Sequence, residues 1–139
     1  MKHTVFFRVF VSGAFLLITL AVNAQRASPL PSMTDWFLST GNWKTDPQIY
    51  VREFGEGEEK VIFLHGGWGG DHGGLIDAVG PLESNYRFIL YDQRGSLRSP
   101  FPDSLITFDN HIEDLELLRK ALKLDKITLA GHSMGGLLA

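Results

Sequence analysis

A serine between two glycines follows an apolar run near the end of this chain. The run occupies residues 127–130, and the sequence G-H-S-M-G occupies residues 131–135. An apolar run without polar alternation is typical of a strand that is buried on both faces. We therefore predict a tight turn from this strand into a helix, with Ser133 in a strained backbone conformation and its hydroxyl pointing away from the sheet. Gly131 and Gly135 lack the Cβ atoms that would clash where strand and helix meet.

The preceding part of the chain alternates between strand and helix patterns. Elements are predicted, in chain order, at residues 49–54 (strand), 61–64 (strand), 75–82 (helix), 87–91 (strand), 110–123 (helix) and 127–130 (strand). This order predicts an α/β fold, with a mostly parallel sheet and flanking helices. A chain of 139 residues is long enough for one domain at most.

The helix at residues 110–123 has the clearest periodicity. Its apolar positions recur at the spacing of one helix face: Ile112, Leu115, Leu118 and Leu122. Acidic residues dominate its first half and basic residues its last, which matches the helix dipole. Thr107 and Asp109 are both candidates for the N-cap.

A second glycine-rich segment follows the strand at residues 61–64. It reads H-G-G-W-G-G at residues 65–70, and we call it the glycine loop. A loop of this kind turns backbone N–H groups toward a substrate carbonyl, and together with the N–H of Met134 it would form an oxyanion hole. A phosphate-binding loop is disfavoured, because His72 stands where the spacing needs glycine and no Gly-Lys-Ser/Thr follows. His65 is interpreted as a residue that braces the loop and not as a base.

Composition excludes several other kinds of chemistry. The chain has no cysteine, which excludes disulfides, thiolate zinc sites and a cysteine nucleophile. With 13 basic and 16 acidic residues, its net charge of −3 gives no reason to expect nucleic acid or acidic lipid as a partner. The sequence contains no HExxH motif or comparable metal-ligand spacing. We therefore predict neither a metal nor a cofactor.

The first 24 residues have the pattern of a secretory signal peptide. Lys2 and Arg8 supply a basic start, residues 9–22 are largely apolar, and small or modest side chains precede a cleavage site between Ala24 and Gln25. An uncleaved membrane anchor is the alternative, but a membrane span needs about 18 or more apolar residues. We therefore expect export, to the periplasm or the exterior, without a stable membrane anchor.

The remaining chain divides into two parts. Residues 25–48 are interpreted as a leader segment that lies on the domain, with Trp36, Phe37 and Trp43 as candidate contacts. Residues 49–139 carry all the motifs and are interpreted as the N-terminal part of the domain.

Three motifs in fixed order resemble a known family. H-G-G-W-G-G at residues 65–70, Y-D-Q-R-G at residues 91–95 and G-H-S-M-G-G at residues 131–136 are similar to the α/β-hydrolase fold. The first two together resemble its prolyl aminopeptidase (proline iminopeptidase) branch. The resemblance implies Ser133 as the nucleophile and Gly67 or Trp68, with Met134, as oxyanion donors. It also implies a small-molecule or short-peptide substrate, such as a peptide with an N-terminal proline.

This sequence departs from the branch at three places. Trp68 stands where the branch usually has proline, and Leu97 interrupts the usual D-Q-R-G-x-G-x-S pattern, in which Ser99 keeps the final position. The third motif has the general hydrolase form, whereas the branch typically has G-G-S-W-G-G or G-G-S-W-G-S. An esterase, lactonase or amidase of the same fold, or a non-catalytic ligand-binding relative, are therefore the alternatives.

Several motif residues are assigned structural roles. These are His65, Gly66, Asp92, Arg94, Gly131 and Gly135. Asp92 precedes Ser133, whereas the acid of the resembled fold follows the nucleophile, so Asp92 and Arg94 are interpreted as a salt-linked loop clamp. His132 diverges from Ser133 on the backbone and is a poor base. His72 and His111 are expected at the surface or at helix ends.

The resemblance also implies residues that this sequence does not contain. The acid and the histidine of a catalytic triad are expected beyond residue 139, in the chain order Ser, Asp or Glu, His. We therefore expect the sequence to be an N-terminal fragment that is inactive and poorly folded when it is expressed alone.

Overall fold

The computed structural model describes residues 33–42 and 44–139. The predicted signal peptide lies outside the described residues, as do residues 25–32 of the leader segment and Trp43. The strands are β1 (Met33–Ser39), β2 (Gln48–Phe54), β3 (Glu59–Leu64), β4 (Tyr86–Tyr91) and β5 (Thr128–Gly131). The helices are α1 (Gly73–Val79), α2 (Phe108–Ala121) and α3 (Met134–Leu138), with 3₁₀ turns at Gly80–Leu82 and Asp103–Leu105.

The strands form one mixed sheet in the order β1-β2-β4-β3-β5. β3 pairs in parallel with β4 on one side and with β5 on the other, whereas β2 pairs antiparallel with β4 and with β1. The α/β fold is confirmed, and the three predicted runs without polar alternation form the parallel strands. Parallel strands end at the same edge of a sheet, so the loops that follow β3, β4 and β5 meet at one edge.

The leader segment contains a strand that the sequence analysis does not predict. β1 pairs with β2 along its whole length, from Met33 opposite Phe54 to Ser39 opposite Gln48. Only Leu38 of this strand is buried, so the apolar pattern that would predict the strand from the sequence is weak. Trp36 packs against the core cluster that contains Leu38.

The core has two parts, one on each face of the sheet. α2 covers one face through Leu115 and Leu118, which pack with a cluster that includes Ile62 and Ile89. α1 covers the other face through its own buried residues, which pack with Phe54, Val61, Phe88 and Leu90. Neighbouring residues of β3 and β4 therefore point to opposite faces, as the two-residue repeat of a strand requires.

Helix α2 occupies nearly the predicted residues, but its buried face is different. Thr107 is the N-cap and its Oγ1 accepts a hydrogen bond from the Asn110 N–H at 3.3 Å. Ile112, predicted on the apolar face, is 53% exposed. The buried positions are His111, Asp114, Leu115 and Leu118. The helix is rotated in this way because Asp114 faces inward to pair with Arg94.

Candidate active site

Ser133 lies on a strained turn between β5 and α3. Its φ and ψ angles are 54° and −120°, and Ser133 and Lys123 are the two non-glycine residues with positive φ in the described part of the chain. Such a conformation costs on the order of 1–3 kcal/mol and persists where the surrounding structure enforces it. The side chain is exposed at the edge where the parallel strands end. This is the backbone geometry that the sequence predicts for a serine nucleophile.

The two glycines around Ser133 allow α3 to approach the sheet. A Cβ on Gly135 would lie 2.3 Å from the carbonyl oxygen of Leu64, the last residue of β3. A Cβ on Gly131 would lie 2.4 Å from the carbonyl carbon of Gly135. Backbone atoms cannot move out of the way without shifting a strand or a helix. The turn therefore requires glycine at both positions.

The glycine loop lies against this turn. A Cβ on Gly66 would come within 3.0 Å of Ser133 Cβ and 2.7 Å of His132 Nδ1. The backbone N–H of His132 donates to the carbonyl oxygen of Leu64 at 3.0 Å, which ties the turn to the strand that leads into the loop. The structure thus brings together the two glycine-rich motifs that are far apart in the sequence.

The predicted oxyanion donors are the residues that follow Gly66 and Ser133 in the sequence. Gly67 and Trp68 come next in the glycine loop, and Met134 comes next after Ser133. Gly67 has a φ of 73°, which a residue with a Cβ rarely adopts. Trp68 is half-exposed, and its ring stacks on that of His111 with centroids 5.9 Å apart. The role of these N–H groups as an oxyanion hole stays a prediction.

His65 is buried and forms hydrogen bonds with Gln93. The backbone N–H of Gln93 donates to His65 Nε2 at 2.9 Å, and the Gln93 side-chain amide donates to the His65 carbonyl oxygen at 2.8 Å. Burial lowers the pKa of His65. Because Nε2 already accepts a backbone hydrogen bond, this imidazole has the contacts of a bracing residue and not those of a base for Ser133.

Asp92 and Arg94 are both salt-linked, as the sequence analysis predicts, but each pairs with a different residue and not with the other. Arg94 makes a bidentate pair with Asp114 of α2, at 2.5 and 2.6 Å, and donates to the Leu105 carbonyl oxygen at 2.9 Å. Asp92 is fully buried and pairs with His72, just before α1, at 2.6 Å. Since α1 and α2 cover opposite faces of the sheet, these partners draw the two side chains apart.

Two histidines lie deeper than the sequence analysis expects. His72 directly precedes α1, so it is at a helix end, but it is 1% exposed. His111 is also 1% exposed, within the first turn of α2. Both histidines therefore lie at helix ends, as expected, but neither is at the surface. Burial follows from partners that are distant in sequence: Asp92 for His72, and the ring of Trp68 for His111.

The contacts around the motifs also include residues that the sequence analysis did not select. Gln93 bonds to His65, and Asp114 bonds to Arg94. For Asp114 a signal was present, because an acidic residue stands on the same helix face as Leu118, four positions later. For Gln93 no local pattern distinguishes the residue from any other polar side chain after a strand.

A cavity of about 410 Å³ adjoins the glycine loop. It lies between the loop, α1 and the turn before Ser133, and it is lined by Phe63, His65, Gly66, Gly70, Asp71, Gly74, Leu75, Ala78 and His132. The carboxylate of Asp71 and the imidazole of His132 are exposed side chains on its wall. Within residues 33–42 and 44–139, no three His, Asp or Glu side chains are grouped to hold a metal ion. No helix in this part of the chain has the length and apolar character to cross a membrane.

Comparison with known proteins places this architecture in a family. Residues 60–139 match the family model described as the alpha/beta hydrolase fold. The chain is 36% identical over 115 residues to a proline iminopeptidase of Lactobacillus delbrueckii subsp. lactis; the match covers 77% of this chain and 37% of that protein. The chain thus spans little more than a third of the length of this relative.

Two solved structures have a similar fold. A proline iminopeptidase-related protein from Thermus thermophilus superposes with a TM-score of 0.67 at 29% identity, over 78% of this chain and 39% of that one. An esterase from a marine microorganism superposes with a TM-score of 0.61 at 33% identity, over 68% of this chain and 35% of that one. With its mixed sheet, its strained serine turn and the family match, this chain belongs to the alpha/beta hydrolase fold family.

Proposed function

We propose that the protein is a serine hydrolase that transfers an acyl group through Ser133. The observation that carries the proposal is the strained turn at Ser133, whose φ of 54° comes with direct contact to the glycine loop. Strain of this kind persists where the surrounding structure enforces it. At this turn, the group that is exposed to the solvent is the serine hydroxyl. A protein that only binds a ligand has no need of such a turn.

In the proposed reaction the Ser133 Oγ attacks a substrate carbonyl carbon. A general base takes the hydroxyl proton, and the carbonyl electron pair moves onto the oxygen, which accepts hydrogen bonds from N–H groups of Gly67 or Trp68 and Met134. Collapse of this intermediate expels the amine or alcohol, which receives the proton. Water then attacks the acyl-enzyme and releases the acid and the free serine.

The proposal requires a base from outside the described residues. His65 and His72 are buried and hydrogen-bonded to other groups, and His132 is the backbone neighbour of Ser133. His111 is buried within the first turn of α2, with its ring stacked on that of Trp68. A serine hydroxyl is a weak nucleophile until a base accepts its proton. The acid and the histidine are therefore sought in the complete protein, after Ser133 in chain order.

The substrate that we propose is a short peptide with an N-terminal proline. The proline iminopeptidase relative, at 36% identity, supports this choice. An ester is the second candidate, and the similarity to the marine esterase, at 33% identity, favours it. Both reactions use the same attack by Ser133 and differ in the leaving group.

The test compares the complete wild-type protein with Ser133→Ala. We expect hydrolysis of proline 4-nitroanilide or of 4-nitrophenyl esters, labelling by a fluorophosphonate probe, and loss of both in the variant, with kcat lowered by about 1,000-fold or more. Ser104→Ala is the matched control, because Ser104 is exposed and lies outside the three motifs. Full activity in Ser133→Ala would contradict the proposal, and the preferred leaving group decides between peptidase and esterase.

We also propose that the protein is exported with cleavage between Ala24 and Gln25. The basic start, the apolar run at residues 9–22 and the small side chain at the cleavage position support this. Mass spectrometry of the protein from its source should give a mature N-terminus at Gln25, in the periplasmic or extracellular fraction. A cytoplasmic protein that begins at Met1 would exclude export.

A further inference from the structure

The glycine loop has few contacts of its own that fix its shape. Gly67 and Gly69 have φ angles of 73° and 86°, and a Cβ on either would meet no atom within 4 Å. The loop backbone is therefore not packed at these two positions. N–H groups that stabilise an oxyanion must nevertheless be held in a fixed place. Apart from the ring contacts of Trp68 with His111 and Phe108, their placement has to come from the ends of the loop.

The first end of the loop is attached to the segment after β4 through Gln93. His65 Nε2 accepts the backbone N–H of Gln93 at 2.9 Å, and the His65 carbonyl oxygen accepts the Gln93 side-chain amide at 2.8 Å. His65 and Gln93 are both almost fully buried. Water therefore does not compete for these hydrogen bonds.

The second end of the glycine loop is attached through His72 to Asp92, the residue that precedes Gln93. The loop ends at Gly70, and His72 donates to Asp92 Oδ1 twice, from its backbone N–H at 3.0 Å and from its Nδ1 at 2.6 Å. Both side chains are at most 1% exposed. The His72 ring stacks on Tyr50 with centroids 5.2 Å apart, which fixes the plane of the imidazole.

The second carboxylate oxygen and the backbone N–H of Asp92 also have partners. Its Oδ2 accepts from Arg98 Nη1 at 3.3 Å, and its backbone N–H donates to the Tyr50 carbonyl oxygen at 3.0 Å. Burial alone raises the pKa of Asp92, but the two hydrogen bonds from His72 and that from Arg98 outweigh it, so the pKa is below its ordinary value. The carboxylate is thus a charged acceptor in a dry site, where hydrogen bonds are strong.

We propose that the His72–Asp92 pair is a positioning device for the oxyanion hole: together with His65–Gln93 it fastens both ends of the glycine loop to two consecutive residues at the end of β4. The inference rests on the proposed hydrolase function. His72 and Asp92 are positioning residues, because they act through the loop and do not touch the substrate. A shift of the second loop end must break two hydrogen bonds to one carboxylate oxygen at once.

This arrangement makes a specific kinetic prediction. Oxyanion donors act on charge that develops in the transition state, so their misplacement lowers kcat more than it changes KM. His72→Asn places an amide N–H near the position of Nδ1 and keeps the hydrogen bond, whereas His72→Gln places it about one bond farther away. We expect His72→Asn to keep kcat within about 3-fold of wild type and His72→Gln to lower it by about 10-fold or more, with KM changed less than about 3-fold in both.

Backbone hydrogen exchange gives a readout that does not depend on activity. In the complete protein, we expect His72→Gln to speed exchange at residues 66–70 and to leave α2 unchanged, while His72→Asn stays close to wild type. Asp77→Asn is the control, because this carboxylate is exposed on α1. Both variants at position 72 keep a polar side chain of similar size, so both are suited to fold.

Two outcomes would overturn the inference. One is equal kcat, KM and loop exchange in His72→Gln and wild type. The other is a fall in melting temperature shared by His72→Asn and His72→Gln without faster exchange at residues 66–70, which would indicate a purely structural role. If the wild-type protein hydrolyses no substrate, the proposed function fails, but the exchange experiment still decides whether the pair positions the loop.

Discussion

His72 and His111 are buried histidines beside the glycine loop, but their surroundings give them different chemistry. The imidazole of His72 donates to the Asp92 carboxylate. Neither ring nitrogen of His111 has a hydrogen-bond partner among the described residues. Burial, with smaller contributions from the charge of Arg94 and from His65, lowers the pKa of His111 to about 4. His111 is therefore kept neutral in the folded protein, and its neutral ring supports Trp68 by stacking.

This environment predicts a pH dependence of stability. Below the ordinary pKa of about 6.5, unfolded chains take up a proton on this histidine and the folded protein does not until the pH nears 4. The contribution of His111 to the free energy of unfolding should therefore be complete above pH 6.5 and decrease as the pH falls toward 4. His111→Phe keeps the aromatic contact and removes the titration. Between pH 7 and pH 5, we expect the free energy of unfolding, measured with urea, to fall by about 2 kcal/mol less in His111→Phe than in wild type.

The matched comparison is made at pH 7 first. Replacing a buried polar group that has no partner with an apolar ring of similar shape is expected to be nearly neutral or stabilising there. His65, whose pKa is also lowered by burial, is present in both proteins, so the difference reports His111 alone. An identical loss of stability on acidification in wild type and His111→Phe would show that His111 does not titrate in this range.

Some of these residues were predictable from sequence and others were not. The strained turn at Ser133 was, because it depends on the glycines two positions before and after the serine. The pairing of His72 was not, because its partner Asp92 is 20 residues away and directly follows another strand. No spacing pattern within one element encodes such a pair. It becomes visible only when parallel pairing brings the ends of β3 and β4 to the same edge.

At the scale of elements, apolar runs were sufficient to predict the three parallel strands, whereas the antiparallel edge strand β1 was not predicted. β3, β4 and β5 are recognised from sequence because each contains apolar residues without a regular polar alternation. β1 buries only Leu38, so it depends on pairing with β2 more than on its own pattern. Helix α2 was located correctly, but its rotation was not, because the pair of Asp114 with Arg94 turns Ile112 toward solvent. An ion pair between elements here outweighs one apolar position.

At the scale of the whole molecule, one sheet connects two separate groups of core side chains. Ile89 belongs to the group covered by α2 and Leu90 to the group covered by α1, and both are fully buried. The two residues are neighbours in β4, which hydrogen-bonds to β2 and β3. Neither face can lose its packing without disturbing the same central strand. The two core groups are therefore expected to unfold together.

This coupling is testable by removing side chains from one face at a time. Ile89→Ala and Leu90→Ala should each lower the free energy of unfolding of the complete protein by about 2–5 kcal/mol, since each leaves a cavity in a packed core. For both variants, circular dichroism and hydrogen exchange in α1 and α2 should report one transition with the same midpoint. Ile112→Ala is the control on the exposed face of α2, with an expected loss below about 0.5 kcal/mol. If Leu90→Ala released α1 at a lower denaturant concentration than α2, the two faces would be independent units, and the sheet would not couple them.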